Sequence, residues 1–277
     1  MSNLGNDSRS AVTRMVEVGG ASIHLREWGR GRPVLLLHGN PDSSAMWEDV
    51  AGRLASSCHC LAPDLPGFGR SEVPREYTRS LDGLARFVEA LRVAANLRPP
   101  IDFVAHDFGG PFAFAWAVRN PSAVRRMVAI NTLFSSDYRW HFWARVWRTP
   151  IVGEISMALM NRLIFAGELR RGAGRPLGRE HIERTWALMT GRMKAEVLRL
   201  YRATDPQGFV GWEDQLRALI AERSAMVIWG DRDPYIPSRY AERFGATKVV
   251  HLPEVGHWPP VEAPEETARL ILGFLAD

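Results

Sequence analysis

Cysteine and lysine are nearly missing from this chain: its 277 residues hold two of the first, Cys58 and Cys60, and two of the second, Lys194 and Lys248. Two cysteines, two positions apart on a presumed strand, project from one face. They cannot readily close on each other or complete a metal site, so a disulfide framework and a cysteine-bound metal are excluded and the pair reads as buried thiols. No apolar run is long enough to span a bilayer, and the polar stretch Met1 to Ser10 has no signal-like core. The expectation is a soluble, cytoplasmic protein with no membrane partner. Clustered positive charge is lacking too: the net +4 comes from arginines scattered along the chain, without a reader motif, so nucleic acid is not expected as a partner. Repeats and low-complexity tracts are absent, and the length fits one core with one insertion.

What is there alternates. Strand signals at Met15–Val18, Ile23–Trp28, Pro33–His38, His59–Ala62, Ile101–Ala105 and Val124–Ile130 interleave, after the third, with helical stretches near Met46–Leu54, Ser80–Ala95 and Pro111–Asn120. This predicts an α/β fold with a mostly parallel sheet and helices on both faces. From Leu133 to Trp212 strand signals stop and helix-period segments rich in Arg, Leu, Met and Trp take over. The alternation then resumes with strand Ala225–Trp229, helix Ser238–Phe244, strand Lys248–Leu252 and helix Pro264–Leu275. The expected organisation is a core of residues 15–132 and 213–277 with a helical cap inserted at 133–212.

Within that frame Ala105-His106-Asp107-Phe108-Gly109-Gly110 falls where a strand turns sharply into a helix, with small residues two before and two after the aspartate. Asp107 either caps that helix or is presented as a nucleophile. Downstream, the buried strand Val227–Trp229 runs into Gly230-Asp231-Arg232-Asp233, a polar turn with two candidate acids, and His257 follows Gly256 after a second short strand. Upstream, Val34-Leu35-Leu36-Leu37 is a continuous apolar run, as suits a strand buried on both faces, and it ends in His38-Gly39-Asn40-Pro41, where a cis peptide is cheap.

Taken together these motifs resemble the α/β-hydrolase fold family, in its haloalkane dehalogenase and epoxide hydrolase branch, from Val16 to Leu275. The resemblance extends to Asp64-Leu65-Pro66-Gly67-Phe68-Gly69-Arg70-Ser71, read as structural. It implies an aspartate nucleophile at Asp107, the acid at Asp233 by the family's G-x-x-D spacing with Asp231 a solvated turn residue, and the base at His257. It also implies an oxyanion site made by the main-chain N–H groups of Asn40 and Phe108. A carboxylate that attacks an ester gives an anhydride, a poor route, whereas attack on a saturated carbon gives a stable alkyl ester. The expected reaction is therefore hydrolysis at an sp3 carbon through an ester on Asp107, split by water that His257 activates, with no metal or organic cofactor.

The leaving group divides the motifs. By resemblance a halide is held by the side chain of Asn40 plus an indole N–H directly after the nucleophile, and position 108 is phenylalanine. An epoxide needs acid from a pair of cap tyrosines, and Tyr201 resembles the second of that pair; it is alternatively a ring anchoring the last cap helix. No first tyrosine matches, since Tyr138 comes too early and the matching place holds Trp147 and Arg148. The balance favours an epoxide hydrolase, with a haloalkane dehalogenase, a natural-product tailoring hydrolase and a hydrolase-like ligand receptor as alternatives. Trp140, Trp143 and Trp147, spaced three and four, are expected on one face of a cap helix, either packing it to the core or walling an apolar pocket. His141, on another face, reads as a surface or packing residue. Expected partners are a small hydrophobic substrate and water, for a monomer or homodimer.

Overall fold

The computed structural model describes residues 10–276; the expectation for the stretch from Met1 falls on residues 1–9, outside them. Eight strands form one sheet: β1 (Val12–Val18), β2 (Ala21–Trp28), β3 (Arg32–Leu37), β4 (Cys58–Pro63), β5 (Ile101–Asp107), β6 (Val124–Thr132), β7 (Ser224–Gly230) and β8 (Lys248–Leu252). Their order is β1-β2-β4-β3-β5-β6-β7-β8, parallel throughout except that β2 runs antiparallel to both of its neighbours.

The apolar run in β3 is buried on both sides because successive side chains point to opposite faces. Leu35 and Leu37 join the cluster under α2 (Leu81–Ala94) and α3 (Gly109–Arg119); Val34 and Leu36 join the one under α1 (Glu48–Leu54), and all four are at most 1 % exposed. Each such side chain contributes about 1.5–3 kcal/mol by burial, which fixes the strand's height in the sheet. Cys58 and Cys60 lie on the same face of β4, both buried and both free thiols.

Between β6 and β7 there are helices only: α4 (Phe142–Arg148), α5 (Val152–Leu159), α6 (Arg162–Gly172), α7 (Arg179–Leu188), α8 (Gly191–Ala203) and α9 (Trp212–Glu222). The last packs on α3 and β7 and so belongs with the sheet. α10 (Pro259–Glu262) and α11 (Pro264–Ala276) close the chain against α1.

Three local expectations are corrected. β1 begins at Val12, three residues early, because pairing with β2 extends to Glu27 although its outer residues are exposed. Ser238–Phe244 forms two short 3-10 turns, ended by Gly245 in the left-handed region at φ 67°, and never develops a full helical ladder. The tryptophan helix starts only at Phe142, so Trp140 lies outside it. Among the described residues no helix is long and apolar enough to cross a membrane.

Candidate active site

Parallel strands end together, and the loops after β3, β5, β6, β7 and β8 converge at that edge. β5 delivers Asp107 on a left-handed turn, φ 49°, a strained conformation for a residue with a side chain. Thr132 donates its hydroxyl to the Asp107 carbonyl and Gly109 passes so close to Leu37 that a Cβ there would meet its carbonyl oxygen at 2.3 Å. Gly39 is required for the same reason: a Cβ would sit 2.2 Å from Asp107 Oδ1. The turn that carries Gly39 is held by His38. Leu65 N–H donates to its Nε2 (2.9 Å), which leaves the proton on Nδ1 to donate to the Gly39 carbonyl (2.8 Å). Asn40, whose bond to Pro41 is cis, then aims its main-chain N–H at Asp107 Oδ1, 2.7 Å away, and Phe108 N–H is a second donor to that carboxylate.

His257 arrives from the far side. Its Nδ1 donates to Asp233 Oδ2 at 2.7 Å, and its Nε2 lies 3.6 Å from Asp107 Oδ2. Asp233, the second acid of the turn, is the one that faces it; Asp231 lies on the surface and pairs with His251. Asp233 is saturated with donors. Oδ1 accepts from Tyr235 N–H (2.7 Å) and Ile236 N–H (3.1 Å), and Oδ2 also accepts from the Asn131 amide (2.9 Å). Asn131 at the end of β6 further clamps Gly230, donating to its carbonyl and accepting from its N–H. The loop around His257 is sewn down by Glu262, buried at the end of α10. Its Oε2 accepts from Gly256, Gly174 and Arg175 N–H at 2.7–2.8 Å, and Oε1 from Trp258 N–H at 2.9 Å. His257 N–H donates to the Gly172 carbonyl, so the loop is tied both to α10 and to the end of α6.

Burial alone would lower the His257 pKa, but Asp233 and then Asp107 outweigh it and raise it to about 9. Burial also lifts the Asp107 carboxyl above the ordinary range, against the pull of His257 and the two N–H donors. The position of His257 between Asp233 and Asp107 therefore favours its charged, imidazolium form. His106 stays neutral through burial and donates Nε2–H to the His257 carbonyl (2.7 Å).

Over this centre opens a cavity lined chiefly by aromatic and aliphatic side chains. Tyr201 on α8 reaches its floor: the hydroxyl lies 3.5 Å from Asn40 Nδ2 and the ring stands edge-on to Phe108 and Trp147. Arg148 donates to the Tyr201 carbonyl (2.5 Å) and steadies that turn of the helix. Burial, then the charge of Asp107, pushes the Tyr201 phenol well above its usual range, so it keeps its proton. Trp140, Trp143 and Trp147 all line the cavity, with Trp140 stacked on Phe108 from outside the helix. Their indole N–H groups are buried and have no partner among the described residues.

His141 packs edge-on against Trp147, Tyr201 and Tyr235, and it starts the helix instead of lying on another of its faces. It caps α4, its Nδ1 accepting from Ala144 N–H, and lines the cavity; burial, then the charge of His257, lowers it to about 4. Tyr138 fastens its hydroxyl to the Tyr235 carbonyl (2.9 Å), and Tyr235, whose hydroxyl meets Glu168, stands edge-on to His257. Asn131, Tyr235 and Glu262 escape sequence reasoning. A polar residue ending a buried strand was the one available signal for Asn131.

Glu262→Gln puts an amide among four main-chain donors and leaves at least one of them facing an N–H. The expected loss is about 1–3 kcal/mol, seen as a fall in melting temperature of several degrees, with turnover falling as the His257 loop slackens. An unchanged melting curve would show that the loop holds itself.

Residues 32–153 match the model of the alpha/beta hydrolase fold family. Haloalkane dehalogenase 2 of Mycobacterium tuberculosis is 29 % identical over 280 residues, 90 % of each chain. A loop variant of haloalkane dehalogenase DbeA from Bradyrhizobium elkanii superposes with a TM-score of 0.81 at 26 % identity, over 96 % of this chain and 97 % of that one. The Cif epoxide hydrolase from Acinetobacter nosocomialis, at 19 % identity, shares the fold with a TM-score of 0.80 over 96 % and 89 %. Matched through the strands that carry Asn40 and Asp107 and superposable over nearly its whole length on a solved hydrolase, the chain has the α/β-hydrolase fold.

Proposed function

We propose that this hydrolase opens a carbon–oxygen bond at a saturated carbon, with an epoxide as substrate and a diol as product, beneath a helical cap formed by residues 133–212. The observation that carries the reading is the Tyr201 hydroxyl, a protonated donor buried in front of Asp107 beside Asn40 Nδ2. An epoxide oxygen leaves as a strongly basic alkoxide and needs a proton; a phenol can give one.

In the first step Asp107 displaces the ring oxygen, forming a carboxylate–carbon ester, while Tyr201 hands its proton to the departing oxygen. The imidazolium proton of the resting enzyme makes good that loss, which leaves His257 neutral. Esterification also cancels the Asp107 charge that helps hold His257 near 9, so the imidazole becomes a base when one is needed. In the second step His257 takes a proton from water, hydroxide adds to the Asp107 carboxyl carbon, and the N–H groups of Asn40 and Phe108 carry the resulting oxyanion. The bond from the carboxyl carbon to the product oxygen breaks, that oxygen takes up the imidazolium proton, and the proton left on the Asp107 carboxyl passes to His257, which restores the resting state.

Tyr201→Phe keeps the ring packing and removes only the hydroxyl. With aryl epoxides kcat/KM is expected to fall about 10²–10⁴-fold, while hydrolysis of bromoalkanes changes little, since bromide needs no proton. Diol is followed by chromatography and bromide by electrode. Equal losses on both substrates would make Tyr201 a packing residue.

Dehalogenation is the second reading. Asn40 and Trp147 line the same cavity, the Trp147 indole N–H has no partner among the described residues, and such N–H donors suit a weakly hydrated anion; the relative from Mycobacterium tuberculosis is named a haloalkane dehalogenase.

The pH profile separates the two steps. Attack requires Asp107 ionised, so single-turnover ester formation falls as pH drops through its raised pKa. Ester hydrolysis requires His257 neutral, so its rate rises with pH and levels off below the resting value of about 9, because one neighbouring charge has gone. An acid limb for hydrolysis centred at 9 would mean that Asp107 is not the esterified group.

A further inference from the structure

α5 has apolar residues on two opposite faces. Inward it turns Gly153 and Met157, and Met157 lines the cavity. Outward it presents Val152, Ile155 and Leu159, spaced three and four on one stripe and 48, 54 and 69 % exposed. Leu163, at the start of α6, is 79 % exposed. A helix apolar on both sides is normally enclosed. Among the described residues only the inner side of α5 is covered.

The neighbouring helices add charge to the pattern. On α4 the exposed Phe142 shares its side with Arg145, three residues on; on α6 Leu163 shares its side with Arg170, two turns on. Residues 139–175 hold seven arginines against two acids, Glu154 and Glu168. Arg139, Arg145 and Arg170 are exposed and form no ion pair among the described residues, whereas Glu154 is taken by Arg202.

An exposed apolar stripe on a helix backed by an apolar cavity, in a segment whose neighbouring helices carry exposed, unpaired arginines, has the composition of a segment that lies in a lipid interface. We infer that the chain docks on an anionic membrane surface through α4–α6 without spanning it. Ile155, Leu159 and Leu163 enter the acyl boundary, Arg139, Arg145 and Arg170 meet lipid phosphates, and an apolar substrate passes from the lipid to the cavity behind α5. A second copy of the chain offers the same face few counter-charges, because residues 139–175 hold seven arginines against two acids. Docking does not depend on the reaction assigned to Asp107.

The test is flotation of the whole protein with vesicles of phosphatidylcholine and with mixed phosphatidylcholine–phosphatidylglycerol vesicles. Binding to the mixed vesicles alone, released by high salt, is expected. Ile155→Glu with Leu159→Glu, and separately Arg145→Glu with Arg170→Glu, should each weaken it more than about tenfold. Both pairs are exposed and outside the cavity, so melting curves and turnover of a soluble substrate should match the parent. No binding to mixed vesicles, or equal binding to both kinds, would overturn the proposal. So would a concentration-dependent dimer in light scattering that the Ile155→Glu, Leu159→Glu pair abolishes, since a second copy then covers the face.

Discussion

Asp107→Ala is expected to abolish turnover, by about 10⁴-fold or more, and to leave the fold intact. The size comes from the chemistry proposed: without the carboxylate there is no group to form the ester, and water at the same place lacks both its position and its activation. The small effect on stability comes from the surroundings of the side chain. Asp107 holds a left-handed backbone, and its carboxylate is 11 % exposed beside a second carboxylate around His257. Burial opposes its charge. Alanine keeps the backbone strain, removes that opposition and strands the Asn40 and Phe108 N–H groups, so opposing effects of about 1 kcal/mol each should leave the melting temperature within a few degrees of the parent. Melting curves together with product assays check both halves. Retained turnover would remove Asp107 as nucleophile; a collapsed melting curve would mean that the elbow needs its side chain to form.

Much of this site could be read from residues because it sits where strands end. A run such as Val34–Leu37 has one comfortable place, inside a sheet covered on both faces, and the chain beyond Leu37 must turn at the sheet's edge. His38-Gly39-Asn40 and His106-Asp107-Phe108 are fixed in space relative to each other because their strands are neighbours in the sheet. Choosing between Asp231 and Asp233 was different. Both lie in one polar turn; the G-x-x-D spacing picks Asp233 by resemblance alone, and the physical reason is the return of the chain after β8, which brings His257 to that carboxylate. Asn131 stayed hidden for the same reason, since its partners Gly230 and Asp233 come from a strand about a hundred residues away. The helical insertion hides most. Met157, Met160, Phe165 and Leu169 have the spacing of ordinary core packing, and no periodicity separates a side chain that faces a cavity from one that faces another helix. The tryptophan spacing misleads because helix periodicity does not run across a cap: His141 accepts the Ala144 N–H and starts the helix there, which leaves Trp140 to reach the cavity from the preceding segment.

His257→Gln should stop the reaction halfway, and this expectation tests the two-step scheme most directly. Ester formation needs Asp107, the donors at Asn40 and Tyr201, and a leaving group; it does not need a base. Hydrolysis needs one. Glutamine approximates the reach of the imidazole but cannot accept a proton from water, so the first step should persist and the second should slow by about 10³-fold or more. Incubated with a true substrate and digested, the variant should yield the peptide bearing Asp107 heavier by one substrate, with one equivalent of ester per active site and no steady release of product. Asp233 then faces an amide in place of an imidazolium, but Asn131, Tyr235 and Ile236 still donate to it. The acid should therefore keep its place, and the melting temperature should fall by no more than a few degrees, as for loss of about 1–2 kcal/mol from one charge-assisted hydrogen bond. The adduct also reports on the leaving group, because an epoxide adds its whole mass whereas a bromoalkane adds its mass less hydrogen bromide. If the variant is folded and a substrate that the parent consumes leaves no adduct, water attacks the substrate carbon directly. Asp107 then serves only to orient that water, and the ester mechanism falls while the fold and the pairing of Asp233 with His257 stand.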